Sequence, residues 1–177
     1  MRWDILTFFC IVGSKNRIFF LEINSPGNFR NFGAYNRRMF NYEDPSYVQA
    51  FIQSALREDV GDGDHTSLST VPATATGTAE LKVKDRGVLA GVELALAIFK
   101  EVDSSLQVQV FIPDGTWIEP GQVVLEVSGS SQSILKAERL VLNCMQRMSG
   151  IATYTRSLVN ILEGTRAKLL DTRKTTP

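Results

Sequence analysis

Apolar positions along the chain recur with two different periods. Val48, Phe51, Ile52 and Ala55 are spaced three and four apart and predict a helix, capped by Asp44 or Ser46 and running to about Asp59. Gly61-Asp62-Gly63-Asp64 ends it as a loop. From Gly77 to Lys84 the period is two, with Ala79, Leu81 and Val83 set against Glu80, Lys82 and Lys84, which predicts a half-buried strand. A turn at Arg86-Gly87 leads into a short strand, Val88 to Gly91. A helix from Val92 to Val102 follows, with Leu94, Ala97, Ile98 and Glu101 at helical spacing. Leu106 to Ile112 alternates again, Gln107 and Gln109 pointing outward. Turns at Pro113-Asp114-Gly115 and Pro120-Gly121 precede a last strand, Val123 to Val127, closing on Gly129.

From Ile134 to about Gly164 the pattern is helical, with Ser131 or Ser133 as the cap. Ile134, Val141, Leu142, Met145 and Met148 form its apolar stripe. Glu138 occupies the missing slot of that stripe, four residues after Ile134 and four before Leu142. A carboxylate there must be paired or stay near water, so Glu138 is expected to be a buried partner that orients a cation. Arg139 and Gln146 flank the stripe. Ser149-Gly150 weakens the helix, and a second run, Ile151 to Leu162, follows. Ala167 to Asp171 reads as a short buried strand ending on the polar loop Thr172-Arg173-Lys174-Thr175-Thr176-Pro177. The whole is an α+β layer followed by helices and a strand with charged residues at its C-terminal end, as a β/α barrel begins. The Gly115 to Gly129 stretch has turns like those of barrel-sandwich carrier domains. No lysine stands at an exposed hairpin tip there, which excludes a lipoyl or biotinyl carrier.

Nineteen basic and nineteen acidic residues give zero net charge, which argues against a nucleic-acid binder. The neutrality conceals segregation. Residues 1–40 hold six basic and two acidic residues, 41–133 five basic and fourteen acidic, and 134–177 eight basic and three acidic. An acidic domain followed by a basic segment suggests an anion site near the C-terminal end. Two cysteines, Cys10 and Cys144, are too few for a disulfide framework, and a single histidine, His65, argues against a His-rich metal site or a Ser-His-Asp triad within the chain. The Asp/Gly loop before His65 lacks the spacing and terminal Glu of a calcium loop, and His65 reads as a turn or capping residue.

Seven of the ten phenylalanines lie at or before Phe40, and the apolar run Ile5 to Val12 is far short of the about 20 residues a membrane span requires. It also lacks the flanks of a signal peptide. The reading is that residues 1–38 are an extension outside the domain, with Met39 as the expected natural start; the alternative is a short hairpin, for instance Arg17 to Ile23, packed on the domain. Residues 39–133 then form the α/β sandwich domain and 134–177 the bridging helices and start of a barrel.

At the C-terminal end Arg173 offers a planar fork for carboxylate or phosphate, Lys174 a compact charge, and Thr172, Thr175 and Thr176 hydroxyls. The set suits a multiply anionic small molecule.

Three strings give that reading a family. They are Lys136-Ala137-Glu138-Arg139 continuing through Leu142-Asn143, then Gln146-Arg147-Met148-Ser149-Gly150-Ile151-Ala152-Thr153, and Gly164-Thr165-Arg166 leading to Asp171-Thr172-Arg173-Lys174-Thr175-Thr176-Pro177. With Leu56-Arg57-Glu58-Asp59, Gly61-Asp62-Gly63-Asp64-His65-Thr66 and Gly87-Val88-Leu89-Ala90-Gly91, they resemble quinolinate phosphoribosyltransferase over about Tyr42 to Pro177. The resemblance implies an open-faced sandwich domain followed by an α/β barrel. It implies transfer of phosphoribose from phosphoribosyl pyrophosphate to quinolinate, with magnesium, in cytoplasmic NAD biosynthesis. It also implies a homodimer in which Arg139 reaches the neighbouring subunit, with Thr172, Arg173 and Lys174 binding substrate anions and Glu138 in support. No nucleic-acid or membrane partner is expected. The family pattern continues into a His-Arg pair, a further lysine and acidic residues that hold magnesium. These do not follow here, and a barrel takes roughly 200 residues or more. The expectation is therefore a truncated chain, inactive alone. The alternatives are a related pyrophosphorylase-like protein of metal-uptake operons and a non-catalytic α+β dimerisation module.

Overall fold

The computed structural model describes residues 7–10, 44–167 and 169 of the chain. Its first helix, α1 (Pro45–Val60), begins where a proline is tolerated and where Asp44 accepts a hydrogen bond from the Ser46 N–H at 2.9 Å. The loop after it contains a helix that the sequence pattern does not announce, α2 (His65–Thr70). Asp64 caps it, so His65 is its first residue. Strands β2 (Thr76–Val83), β4 (Gln107–Val110) and β6 (Val123–Ser130) fall in the three alternating runs. In β2 the residues Ala79, Leu81 and Val83 are buried while their neighbours are not, as the period of two requires.

The main sheet has the order β1-β2-β6-β4, where β1 is Thr7–Cys10. β2 and β6 run antiparallel, Thr76 facing Ser130 and Leu81 facing Leu125, with a register irregularity between Leu81 and Lys82. β4 pairs antiparallel with β6, Gln107 opposite Ser128 and Val110 opposite Leu125. The edge strand β1 (Thr7–Cys10) lies in the apolar run of the first forty residues and pairs in parallel with β2, Thr7 opposite Glu80 and Cys10 opposite Val83. Met39 and the segment Arg17 to Ile23 lie outside the described residues. A second, two-stranded sheet joins β3 (Gly87–Val88) to β5 (Trp117–Ile118), the latter too short to show any periodicity.

One core lies between the helices and strands β2, β5 and β6. It contains Ile52 of α1, Leu81 and Val83 of β2, Ile118 of β5, Val124, Leu125 and Val127 of β6, and the inner faces of two further helices, α3 (Val92–Val102) and α4 (Ser131–Ile161). Burial of this apolar surface is the main driving force for the fold. On α1, Phe51 stays exposed and Ile52 alone is buried. On α3 the buried face is Val92, Ala95, Ile98 and Phe99, with Leu94 and Ala97 at its flank; Glu101 points away and accepts hydrogen bonds from Gln49 and Gln53 of α1. The first residue before α3 is Gly91, whose φ of 104° is left-handed. A side chain there would also press on the Met145 main chain. With no capping side chain of its own, α3 takes one from a distant turn: the Asp114 carboxylate accepts from Val92 N–H at 2.9 Å and from Glu93 N–H at 3.4 Å.

The helix α4 is unbroken for 31 residues, about 46 Å at the usual rise. Ser149-Gly150 therefore does not divide it. Its first half shares the core with the sheet, through Ile134, Ala137, Leu140, Val141 and Met145. The buried stripe runs through Ala137 rather than Glu138 and on to Ser149 rather than Met148, which is exposed. Glu138 is thus at the edge of the stripe and not within it.

Candidate functional site

The polar edge of α4 and the start of α2 enclose a cleft of about 390 Å³, lined by Asp64, Thr66, Ser67, Leu135, Glu138, Arg139, Leu142 and Asn143. Its walls follow from local sequence. Asp64 sits where the Gly-rich loop turns into α2, and its carboxylate accepts from both the N–H and the hydroxyl of Ser67. These bonds, from the hydroxyl first and the N–H next, hold the Asp64 carboxyl below the usual carboxylate range. A carboxylate so engaged is a helix cap before it is anything else. On the opposite wall, Leu135, Glu138, Arg139 and Leu142 are successive three- and four-residue neighbours of one helix face.

Arg139 projects from that face with a side chain that is 72% exposed, and its Nη1 donates to Asp59 Oδ1 at 2.8 Å. Asp59 lies in the last turn of α1, eighty residues away in sequence, with a side chain 24% exposed. The carboxylate in contact with Arg139 is therefore Asp59. Glu138 is half-buried beside it; burial pushes its carboxyl up, while the neighbouring guanidinium acts through space to lower it. Sequence reasoning singled out Arg139 and Glu138, which the structure places in one cleft, but gave no role to Asp59, Asp64 or Asn143. The signal for Asp59 was its place in the string Leu56-Arg57-Glu58-Asp59 just before a glycine loop. Thr172, Arg173 and Lys174 lie outside the described residues, as does the strand expected from Ala167 to Asp171 apart from its first and third positions.

A second groove of about 280 Å³ lies next to the cleft, between Thr70 to Pro72, β2 and the start of α4. Its lining is apolar apart from Thr70, Thr78 and Ser131, and it contains no charged side chain. The cleft at Arg139 is the one with chemistry.

The string around Ser149 has a different role. Ser149 is fully buried, its hydroxyl accepting from Ala90 N–H and donating to Ala90 C=O, and Thr153 Oγ1 accepts from Val88 N–H. These helix side chains stand in for a neighbouring strand along β3. Among the described residues no cluster of three or more His, Cys, Asp or Glu could hold a metal ion.

The fold and the cleft define an α+β domain in which a long helix carries an exposed arginine at the edge of a small sheet's core. Residues 64–149 match the profile of the quinolinate phosphoribosyl transferase N-terminal domain. The chain is 45% identical over 135 residues to a chloroplastic nicotinate-nucleotide pyrophosphorylase (carboxylating) of Oryza sativa subsp. japonica, covering 75% of this chain and 36% of that protein. It is 41% identical over 129 residues to the nicotinate-nucleotide pyrophosphorylase (carboxylating) of Mycobacterium leprae, covering 71% of this chain and 45% of the relative. Among solved structures, NadC from Streptococcus pyogenes superposes with a TM-score of 0.73 at 36% identity, over 76% of this chain and 48% of that one. The nicotinate-nucleotide pyrophosphorylase from Francisella tularensis gives 0.69 at 32% identity, over 73% and 46%. Residues 64–149 thus carry the N-terminal domain of the quinolinate phosphoribosyltransferase family. The chain spans less than half the length of these relatives.

Proposed function

We propose that this domain serves the transfer of phosphoribose from phosphoribosyl pyrophosphate to quinolinate, which forms nicotinate mononucleotide, pyrophosphate and carbon dioxide. The observation that carries the reading is Arg139. Its guanidinium is exposed at a cleft, and a single contact to Asp59 leaves its other N–H donors available. A planar fork of that kind matches a carboxylate or phosphate oxygen pair.

The cleft's own charges bound what Arg139 can do. Asp64 and Glu138 line the same cleft, so its walls are not basic as a whole. A dianion such as quinolinate needs further cations, and in this reading they are Arg173 and Lys174, with Thr172 offering a hydroxyl. The same cations would stabilise the charge that develops as pyrophosphate leaves. Arg139 would complete the site of a neighbouring subunit in a homodimer, the open-faced sandwich passing into a barrel at the C-terminal end. Magnesium would enter with phosphoribosyl pyrophosphate, held by groups other than the described acidic residues. A cytoplasmic setting belongs to the same reading; no helix among the described residues is long and apolar enough to cross a membrane.

Calorimetric titration of the full chain with quinolinate tests it. Saturable binding that Arg139→Ala weakens by about ten-fold or more, the worth of one charged hydrogen-bonded contact, is the expected result. Absence of binding, or an Arg139→Ala chain that binds as well as the unaltered one, would overturn it.

A further inference from the structure

We propose that Asp59 is a positioning residue for anion binding: by holding Nη1 of Arg139 from across the α1–α4 junction, it fixes the rest of the guanidinium in place at the cleft edge, ready for an anion. The inference rests on the reading of Arg139 as an anion-binding group.

An exposed arginine on a helix explores many rotamers, and each must be given up when an anion binds. Arg139 is exposed enough to be such a side chain, yet it is tied to a different helix. The tie uses one donor out of five, which leaves Nη2 and Nε to face an oxygen pair. Asp59 suits the task because it is itself the more sheltered partner and stands at the end of a helix anchored in the core by Ile52. Gly61, two residues on, accepts no side-chain constraint and lets the chain turn away to Asp64 on the other wall of the cleft.

The opposing effect is Coulombic. Asp59 puts a third carboxylate near Arg139, after Asp64 and Glu138, and a carboxylate beside a cation weakens its attraction for an anion. The Arg139 guanidinium that would meet the anion is exposed, so solvent and salt screen this repulsion and the geometric effect prevails. The two effects predict opposite outcomes when Asp59 is removed, so experiment decides between them.

The test is a double-mutant cycle on the full chain, with quinolinate as the probe. Asp59→Ala should weaken binding three- to ten-fold, while Asp59→Asn, which keeps an oxygen acceptor for Nη1, should stay within two-fold of the unaltered chain. In an Arg139→Ala background, Asp59→Ala should have no further effect. A spectroscopic arm needs no ligand: the Arg139 side-chain N–H signals should show hindered guanidinium rotation in the unaltered chain and in Asp59→Asn, and free rotation in Asp59→Ala. If Arg139→Ala loses binding while Asp59→Ala binds as well as or better than the unaltered chain, the inference falls and the functional reading stands. An effect of Asp59→Ala that persists without Arg139, or Arg139 rotation equally fast in all chains, also overturns it. If the unaltered chain binds no quinolinate, the functional reading fails and the inference with it.

Discussion

Ser149 Oγ bonds both main-chain polar groups of Ala90, accepting from its N–H at 2.9 Å and donating to its C=O at 3.1 Å. One hydroxyl has one proton and two lone pairs, so the pairing uses it in both directions. One turn further along α4, Thr153 accepts from Val88 N–H at 2.8 Å and donates to Ser149 C=O at 2.7 Å. The far edge of β3 is thereby satisfied by a helix, its near edge being paired to β5. Ser149 and Thr153 are part of the fold's hydrogen bonding, and neither lines the cleft at Arg139.

Replacing Ser149 by Ala should therefore cost stability and leave the cleft intact. It strips two main-chain groups of their partner at a site where Ser149 is wholly enclosed. The expected loss is about 1–3 kcal/mol in equilibrium denaturation, with quinolinate affinity unchanged. A variant that melts like the parent but binds quinolinate more weakly would assign Ser149 to the site instead.

Gly87 should be equally intolerant, for reasons of space. A Cβ built on it runs into Thr153 Oγ1, with the Thr153 Cγ2 and Cβ close behind, and Thr153 is held in place by its bond to Val88. Gly87→Ala is expected to destabilise by about 1–3 kcal/mol, as overpacking does. Adding Thr153→Ala should relieve the clash without restoring full stability, because the Val88 N–H then loses its acceptor. Urea melts of the two single variants and the double would show whether the costs are less than additive, as contact demands.

The contrast between these residues and Arg139 shows what the sequence could and could not convey. Alternation located β2, and the Asp44 and Val92 to Val102 patterns located α1 and α3, because each depends on residues adjacent in the chain. On α4 the apolar spacing led to Leu142 and Met148, yet the buried positions include Ala137 and Ser149. Small or polar side chains are buried there because β6 and β3 approach closely, and that approach is a tertiary fact. The helix α2 escaped for want of length, being six residues after a glycine loop. Asp59 and Arg139 were each visible in a string, but their contact spans eighty residues and no local period encodes it.

Asp103 links the end of α3 to the start of α4 and should give the fold an acid-sensitive joint. Its carboxylate accepts from the Ser105 hydroxyl and N–H and, at 2.7 Å, from the Ser133 hydroxyl. The Ser105 hydroxyl first, then that of Ser133, hold the carboxyl below its ordinary 3.8. A lowered folded value means that the stabilisation is present above the unfolded value and is lost as pH falls through the folded one. Ser133→Ala should lower the melting temperature at pH 7 and have a diminishing effect below about pH 4. Thermal melts across that range are the measurement, and an effect that grows on acidification would refute the assignment.

Glu138 should behave with the opposite sign. Burial at the edge of the α4 stripe raises its carboxyl above the ordinary 4.5, an effect only partly offset by Arg139. For a carboxyl raised in the folded state, the favourable contribution is complete below the unfolded value. It disappears as pH climbs through the folded value, so at neutral pH the ionised group is held at a cost. Glu138→Gln keeps the shape and removes the charge. The variant should melt above the parent at pH 7.5, and the difference should shrink to nothing as pH drops below about 4. Removing a negative charge from the cleft beside Arg139 should also strengthen quinolinate binding at neutral pH, more at low salt than at high. These outcomes separate two roles. If Glu138 were needed to hold Arg139 in place, Glu138→Gln would weaken quinolinate binding; if Asp59 alone holds the guanidinium, as the 2.8 Å contact indicates, affinity should rise.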